Sequence, residues 1–134
     1  MKITLAQLTE AGAALLPGHL GIEIESAEDG RVLGRMELAD KHLAPNGYLH
    51  AAAVIGLADT ACGYGCFLSL PEGGTGFTTI ELKTNFLRTA MQGTISCEAT
   101  RIHGGRTTQL WDATVRDEEG RTLALFRCTQ LILR

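Results

Sequence analysis

Residues 49–70, LHAAAVIGLADTACGYGCFLSL, are apolar around almost the whole circumference of a helix, and this stretch constrains the fold more than any other. An amphipathic helix can lie on a surface, but a helix without a polar face has to be enclosed by protein. Pro71-Glu72-Gly73-Gly74 ends it, and a loop over 39–48 precedes it, with Pro45-Asn46-Gly47 as the breaker. Whatever encloses the helix must come from the rest of the chain.

The rest reads mostly as strands. Two alternating runs, around 20–27 and 31–38, flank the turn Glu28-Asp29-Gly30 and predict a hairpin in which Val32, Met36 and Leu38 face away from Arg31, Arg35 and Glu37. After the helix, Ile80, Leu82 and Phe86 are expected on one face, opposite Thr79, Glu81, Lys83 and Asn85. Glycine-containing turns then separate runs over 94–103, 106–116 and 121–133, the spacing of an antiparallel meander. At the N-terminus, 3–16 repeats apolar residues at helical spacing and predicts an amphipathic helix ended by Pro17-Gly18. Two strands, one greasy helix and four strands are satisfied by an α+β architecture, a curved antiparallel sheet wrapped around the central helix.

With 45% apolar and 20% charged residues, the 134-residue chain can bury one core without staples, so a single domain over 1–134 is expected. Its formal charge of −3 argues against nucleic acid as a partner. No run reaches the ~20 apolar residues of a membrane helix. The segment MKITLAQLTEAG lacks the apolar centre of a signal peptide, so no membrane association and a cytoplasmic location are expected. Cys62, Cys66, Cys97 and Cys128 lie in apolar runs and read as buried free thiols. Cys62 and Cys66 stand one helical turn apart without further ligands at metal spacing, so no metal site and no cofactor are expected.

Within the apolar stretch the only histidine, acidic or basic residues are His50, at its start, and Asp59, near its middle. A carboxylate stranded in a core costs several kcal/mol, so Asp59 must be paired, protonated or placed at a cavity. One reading has it satisfied by Thr60, a backbone amide or a strand. The other makes it a general base or nucleophile, since burial lifts its basicity toward neutral pH. His50 reads either as a hydrogen-bonded spacer or as part of a helix start whose free N–H groups favour a developing oxyanion.

PNGYLHAAAVIGLADTACGYG resembles the signature of hotdog-fold acyl-CoA thioesterases of the phenylacetate-pathway and 4-hydroxybenzoyl-CoA type, which have a histidine followed nine residues later by an acid, as in His50 and Asp59 here. TTIELKTNFLRTA (78–90) and GGRTTQLWDATVRDEEGRTLALFRCT (104–129) resemble later strands of the same family, so the likeness spans the chain. It implies a hotdog fold and hydrolysis of an acyl-CoA thioester without a cofactor. Asp59 would be nucleophile or general base, the Ala51 N–H would polarise the carbonyl, and His50 would shape that turn. Gly47, Arg88, Arg106 and Thr107 would meet the substrate, the last three its nucleotide and phosphate end.

Three positions depart from the family pattern. Its Asn or Gln falls on Ala44, with Asn46 as a replacement; its two glycines after the histidine are Ala51 and Ala52; and its hydroxyl four residues after the acid is Gly63. If Asn46 caps the helix, the free N–H groups lie earlier than Ala51. A non-catalytic acyl-CoA-binding hotdog is the alternative function, and a hydratase would need a different loop pattern. Ala51 and Asp59 are eight residues apart, roughly 12 Å along one helix. One thioester carbon cannot reach both, so a site at the interface of a homodimer or homotetramer is expected.

Overall fold

An 18-residue helix, α3 (Ala51–Leu68), lies in the concave side of a six-stranded antiparallel sheet ordered β1-β2-β4-β5-β6-β3. The computed structural model describes residues 2–134. The strands are β1 (Ile22–Glu28), β2 (Arg31–Glu37), β3 (Gly76–Phe86), β4 (Thr94–Gly104), β5 (Thr108–Arg116) and β6 (Thr122–Leu133). This is the expected wrapped-helix arrangement.

The buried positions of α3, Ala53, Val54, Leu57, Ala58, Ala61, Cys62, Gly65 and Cys66 among them, form one helical stripe against Val32, Met36, Ile95, Trp111 and Phe126 of the sheet. All four cysteines are buried and free. Gly65 lets the helix settle on Trp111, since an added Cβ would lie 2.8 Å from the ring's Cζ3. Trp111 donates its indole N–H to Gln109 Oε1 at 2.8 Å, and Gln109 Nε2 donates to the Ser69 carbonyl at 3.0 Å, which fixes the C-terminal end of α3. By length and composition α3 does reach a membrane span, contrary to the expectation from run length, but half of it is buried inside the fold. The enclosure is one-sided: Ile55, Gly56, Asp59 and Thr60 are only half-buried.

The N-terminal region differs from the expected single helix. Helix α1 (Leu5–Gly12) is closed by a Thr4–Gln7 capping box, and Pro17 opens the short helix α2 (Leu16–Leu20) instead of ending a helix. Proline fits a first turn because its missing N–H would have no helical partner there. In the 39–48 loop, Asp40–His42 form a 3-10 turn, and Arg106 and Thr107 fall in the β4–β5 turn, outside both strands.

Strand β3 also departs from strict alternation. Its pairing with β6 slips between Thr79 and Glu81, which leaves Ile80 as the extra residue of a bulge. Phe77 and Thr79 therefore share the concave face with Leu82, Thr84 and Phe86, each paired opposite an inward residue of β6. Ile80, Leu82 and Phe86 do not form one common face, and all three are exposed.

Candidate active site

Helix α3 begins in a tightly tied loop. His42 is buried; its Nδ1 accepts from the Ala39 N–H at 2.9 Å and its Nε2 lies 2.6 Å from the Leu20 carbonyl, to which it donates. The His42 carbonyl accepts from the His50 N–H at 2.9 Å. His50 is the N-cap, with φ −70° and ψ 134°, and its Nδ1 accepts from the Ala52 N–H at 2.9 Å. Asn46 does not cap the helix: its Oδ1 accepts from the Tyr48 N–H at 3.1 Å in a local turn, where Gly47 takes φ 87°. Ala53 and Val54 donate to the His50 carbonyl, so among the described residues the Ala51 N–H is the first helical donor left without an acceptor. It is exposed and points along the positive end of the helix dipole.

Asp59 sits on the flank of α3, half-buried, away from that start. Its one hydrogen-bond partner is neither Thr60 nor a backbone amide but Thr79 on β3, whose Oγ1 lies 3.0 Å from Asp59 Oδ1. Burial pushes the Asp59 carboxyl above its ordinary value, and the Thr79 hydroxyl partly offsets this. Thr79 Oγ1 in turn lies 2.8 Å from Oε1 of the fully buried Gln130, its register partner on β6. The hydroxyl expected four residues after the acid has moved from the helix to the strand: at Gly63 the space is taken by the Phe77 ring.

Neither Thr79 nor Gln130 was visible as a site residue in the sequence, because a threonine and a glutamine inside strands carry no signal until the register is known. His42 was hidden for the same reason, as one polar residue in a polar loop.

The remaining expected site residues are spread over the fold. Leu49 donates its N–H to Thr89 Oγ1 at 3.2 Å, so the segment carrying Arg88 lies at the start of α3. Arg106 and Thr107 lie at the other end of the sheet, where the Ile132 N–H donates to the Thr107 carbonyl at 2.8 Å. The nine residues of β5 run between these ends, roughly 25–30 Å. Within one chain, Arg88 and Arg106 therefore do not share a site. Among the described residues neither is engaged by a carboxylate. A cleft of about 690 Å³ opens beside the C-terminal end of α3, between Lys2, Asp29, Ser69, Arg101 and Gln109, and Asp59 does not line it.

The Thioesterase superfamily matches residues 46–124 of this chain. A 1,4-dihydroxy-2-naphthoyl-CoA hydrolase of Listeria monocytogenes is 34% identical over 110 residues, covering 82% of this chain and 89% of its own. The crystal structure of a thioesterase from Haemophilus influenzae superposes with a TM-score of 0.90 at 28% identity, over 100% of this chain and 93% of its own. A Streptococcus mutans protein crystallised with acetyl CoA is similar at a TM-score of 0.76 and 26% identity, over 84% of this chain and 88% of its own. The wrapped-helix fold expected from the sequence is the fold these structures share.

Proposed function

This chain belongs to the thioesterase superfamily, and from that membership we propose that it hydrolyses an acyl-CoA thioester to free acid and CoA with Asp59 as nucleophile or general base. The observation that carries the reading is the state of Asp59. It is a half-buried carboxylate on an apolar helix, met among the described residues by one hydroxyl and by no cation, with its basicity raised by burial. With the Thr79 hydroxyl as its one contact among the described residues, the carboxylate keeps the raised basicity that a base for attack on a thioester needs. The Ala51 N–H, free at the helix start, polarises the carbonyl oxygen and takes up charge as the oxyanion forms. His50 shapes that start by withdrawing the Ala52 N–H, and Asn46 and Gly47 form the adjoining turn against the substrate.

Asp59 and Ala51 meet one thioester only if they come from two copies. The sheet supports this. Strand β3 is an edge strand of 11 residues whose outer N–H and C=O groups lack a neighbouring strand, and Ile80 and Phe86 on it are 54% and 46% exposed. A long open edge carrying exposed apolar side chains calls for a partner. Antiparallel pairing of two β3 edges brings the Arg88 end of one copy to the Arg106 end of the other, where Arg88, Arg106 and Thr107 hold the CoA phosphates. We therefore read the enzyme as a homodimer, or a tetramer built from such dimers, working in the cytoplasm, where free buried thiols persist.

The test is a thiol-release assay over short-chain, medium-chain and aryl CoA esters, beside the Asp59→Asn variant. Release of CoA by the wild type and its loss in a folded Asp59→Asn protein is the expected result; equal turnover by the variant would reject Asp59.

A further inference from the structure

Thr79 has one hydroxyl hydrogen and two oxygens within reach, Asp59 Oδ1 at 3.0 Å and Gln130 Oε1 at 2.8 Å. It can donate to only one of them. With Gln130 Oε1 toward Thr79, Oε1 competes with the carboxylate for that hydrogen, while Nε2 faces Cys128 Sγ at 3.4 Å, a weak acceptor. The two ends of an amide have the same shape, so its direction is decided by its partners. Turned over, Gln130 Nε2 donates to Thr79 Oγ1, Thr79 donates to Asp59, and Gln130 Oε1 accepts from the Cys128 thiol. Every polar group of this network is then satisfied with Asp59 ionised. Oε1 toward Thr79 fits the opposite state: a protonated Asp59 donates to Thr79, which donates to Gln130.

We propose that Gln130 is a positioning residue that aims the Thr79 hydroxyl hydrogen at Asp59 and thereby sets the pH range in which Asp59 is ionised. The inference rests on Asp59 being the catalytic group of the proposed hydrolysis. Gln130 is fully buried and locked in register opposite Thr79, so its amide has no water to turn to. The titratable groups beside this network are thiols: Cys62 on α3 and Cys128 on β6, with Cys66 and Cys97 next to them. Burial pushes Cys97 up to about 12, and its hydrogen bond with Cys128 together with burial holds Cys62 well above its ordinary value. Among the described residues no lysine, arginine, histidine or second carboxylate bears on Asp59. Burial is the larger influence on this carboxyl, and hydrogen-bond direction is the influence its polar neighbours set.

The test follows the Asp59 carboxyl by carbon-13 NMR titration in the intact protein, for the wild type, Thr79→Val, Gln130→Met and the double variant. Removing a donor from a carboxylate raises its midpoint. The midpoint is expected to move upward in each single variant and no further in the double one, because the two residues act as one chain. In thiol release the acid limb of kcat is expected to move upward with the midpoint, with KM within about twofold. A wild-type midpoint in Gln130→Met would overturn the proposal, since a residue that only fills space is replaced by methionine without moving a titration. If circular dichroism shows Gln130→Met unfolded, Gln130→Leu serves: it removes both polar ends of the amide, and a wild-type midpoint in it would likewise overturn the proposal. Turnover retained in Asp59→Asn would overturn the proposed function as well; Asp59→Asn inactive with Gln130→Met silent would overturn this inference alone.

Discussion

The Phe77 ring occupies the space a side chain at Gly63 would need: a Cβ added there would lie 2.8 Å from Phe77 Cζ and 3.3 Å from Cε2. The sequence resemblance places a hydroxyl at this helical position, yet the chain supplies one from Thr79, two residues beyond Phe77 on the same face of β3. The two features compensate each other. A bulky ring excludes the helical hydroxyl, and the strand that carries the ring provides the substitute.

Restoring the family hydroxyl should therefore fail. Gly63→Ser is expected to cost about 1–3 kcal/mol through overpacking against Phe77, with no gain in kcat. Thermal melting and thiol release on the same preparation check both halves of this expectation.

Asp59 should be a stability cost that the fold carries for its activity. Its folded-state pKa is raised, so the native state binds the proton more tightly than the unfolded chain, and ionising it at higher pH destabilises the fold. That cost is absent below the ordinary carboxylate value, grows as pH rises through the raised value, and is full at neutrality. Asp59→Asn should accordingly lose about 10²–10⁴-fold in kcat while melting higher than the wild type at pH 7. The gap should close as the melts are repeated toward pH 3. A variant that melts lower than wild type at neutral pH would show Asp59 to be a stabilising structural acid.

The same shift sets the activity profile. As a base, Asp59 works only when ionised, so the acid limb of kcat/KM should lie above the range of an ordinary exposed aspartate, 3.8, in a thiol-release profile on a CoA ester.

The helix and its acid were legible in the sequence because both are violations of a local pattern: 49–70 lacks a polar face, and Asp59 interrupts it. The strands followed from alternation and glycine turns. What escaped was decided by non-local geometry. The bulge at Ile80 turns Thr79 and Leu82 inward, and only the register of β3 against β6 places Gln130 beside Thr79. Pro17 reads as a terminator, yet it fits a helix start equally well by its fixed φ. His50 as cap, against Asn46, was decided by the tie from His42, a loop residue buried through contacts with Ala39 and Leu20.

Edge pairing through β3 gives its own expectation. Ile80→Lys places a charge on the exposed bulge without touching the core, since Ile80 is 54% exposed. Sedimentation should show the shift to monomer, and thiol release should fall in proportion to the dimer lost. A fully active monomer would contradict the shared site.

The central claim, that each site joins Asp59 of one copy to the Ala51 N–H of another, is tested most directly by complementation. Ala51 is the first residue of α3, where proline is tolerated, and His50 at φ −70° and ψ 134° already has the extended conformation that precedes proline. Ala51→Pro thus removes the one N–H and keeps the helix. Ala51→Pro and Asp59→Asn proteins, each inactive alone, are unfolded together and refolded as an equimolar mixture. Half of the resulting dimers are mixed and each holds one intact site, so thiol release should return to about a quarter of the wild-type rate. A mixture as inactive as its two components, with mixed dimers verified by mass, would show that no site is shared between copies.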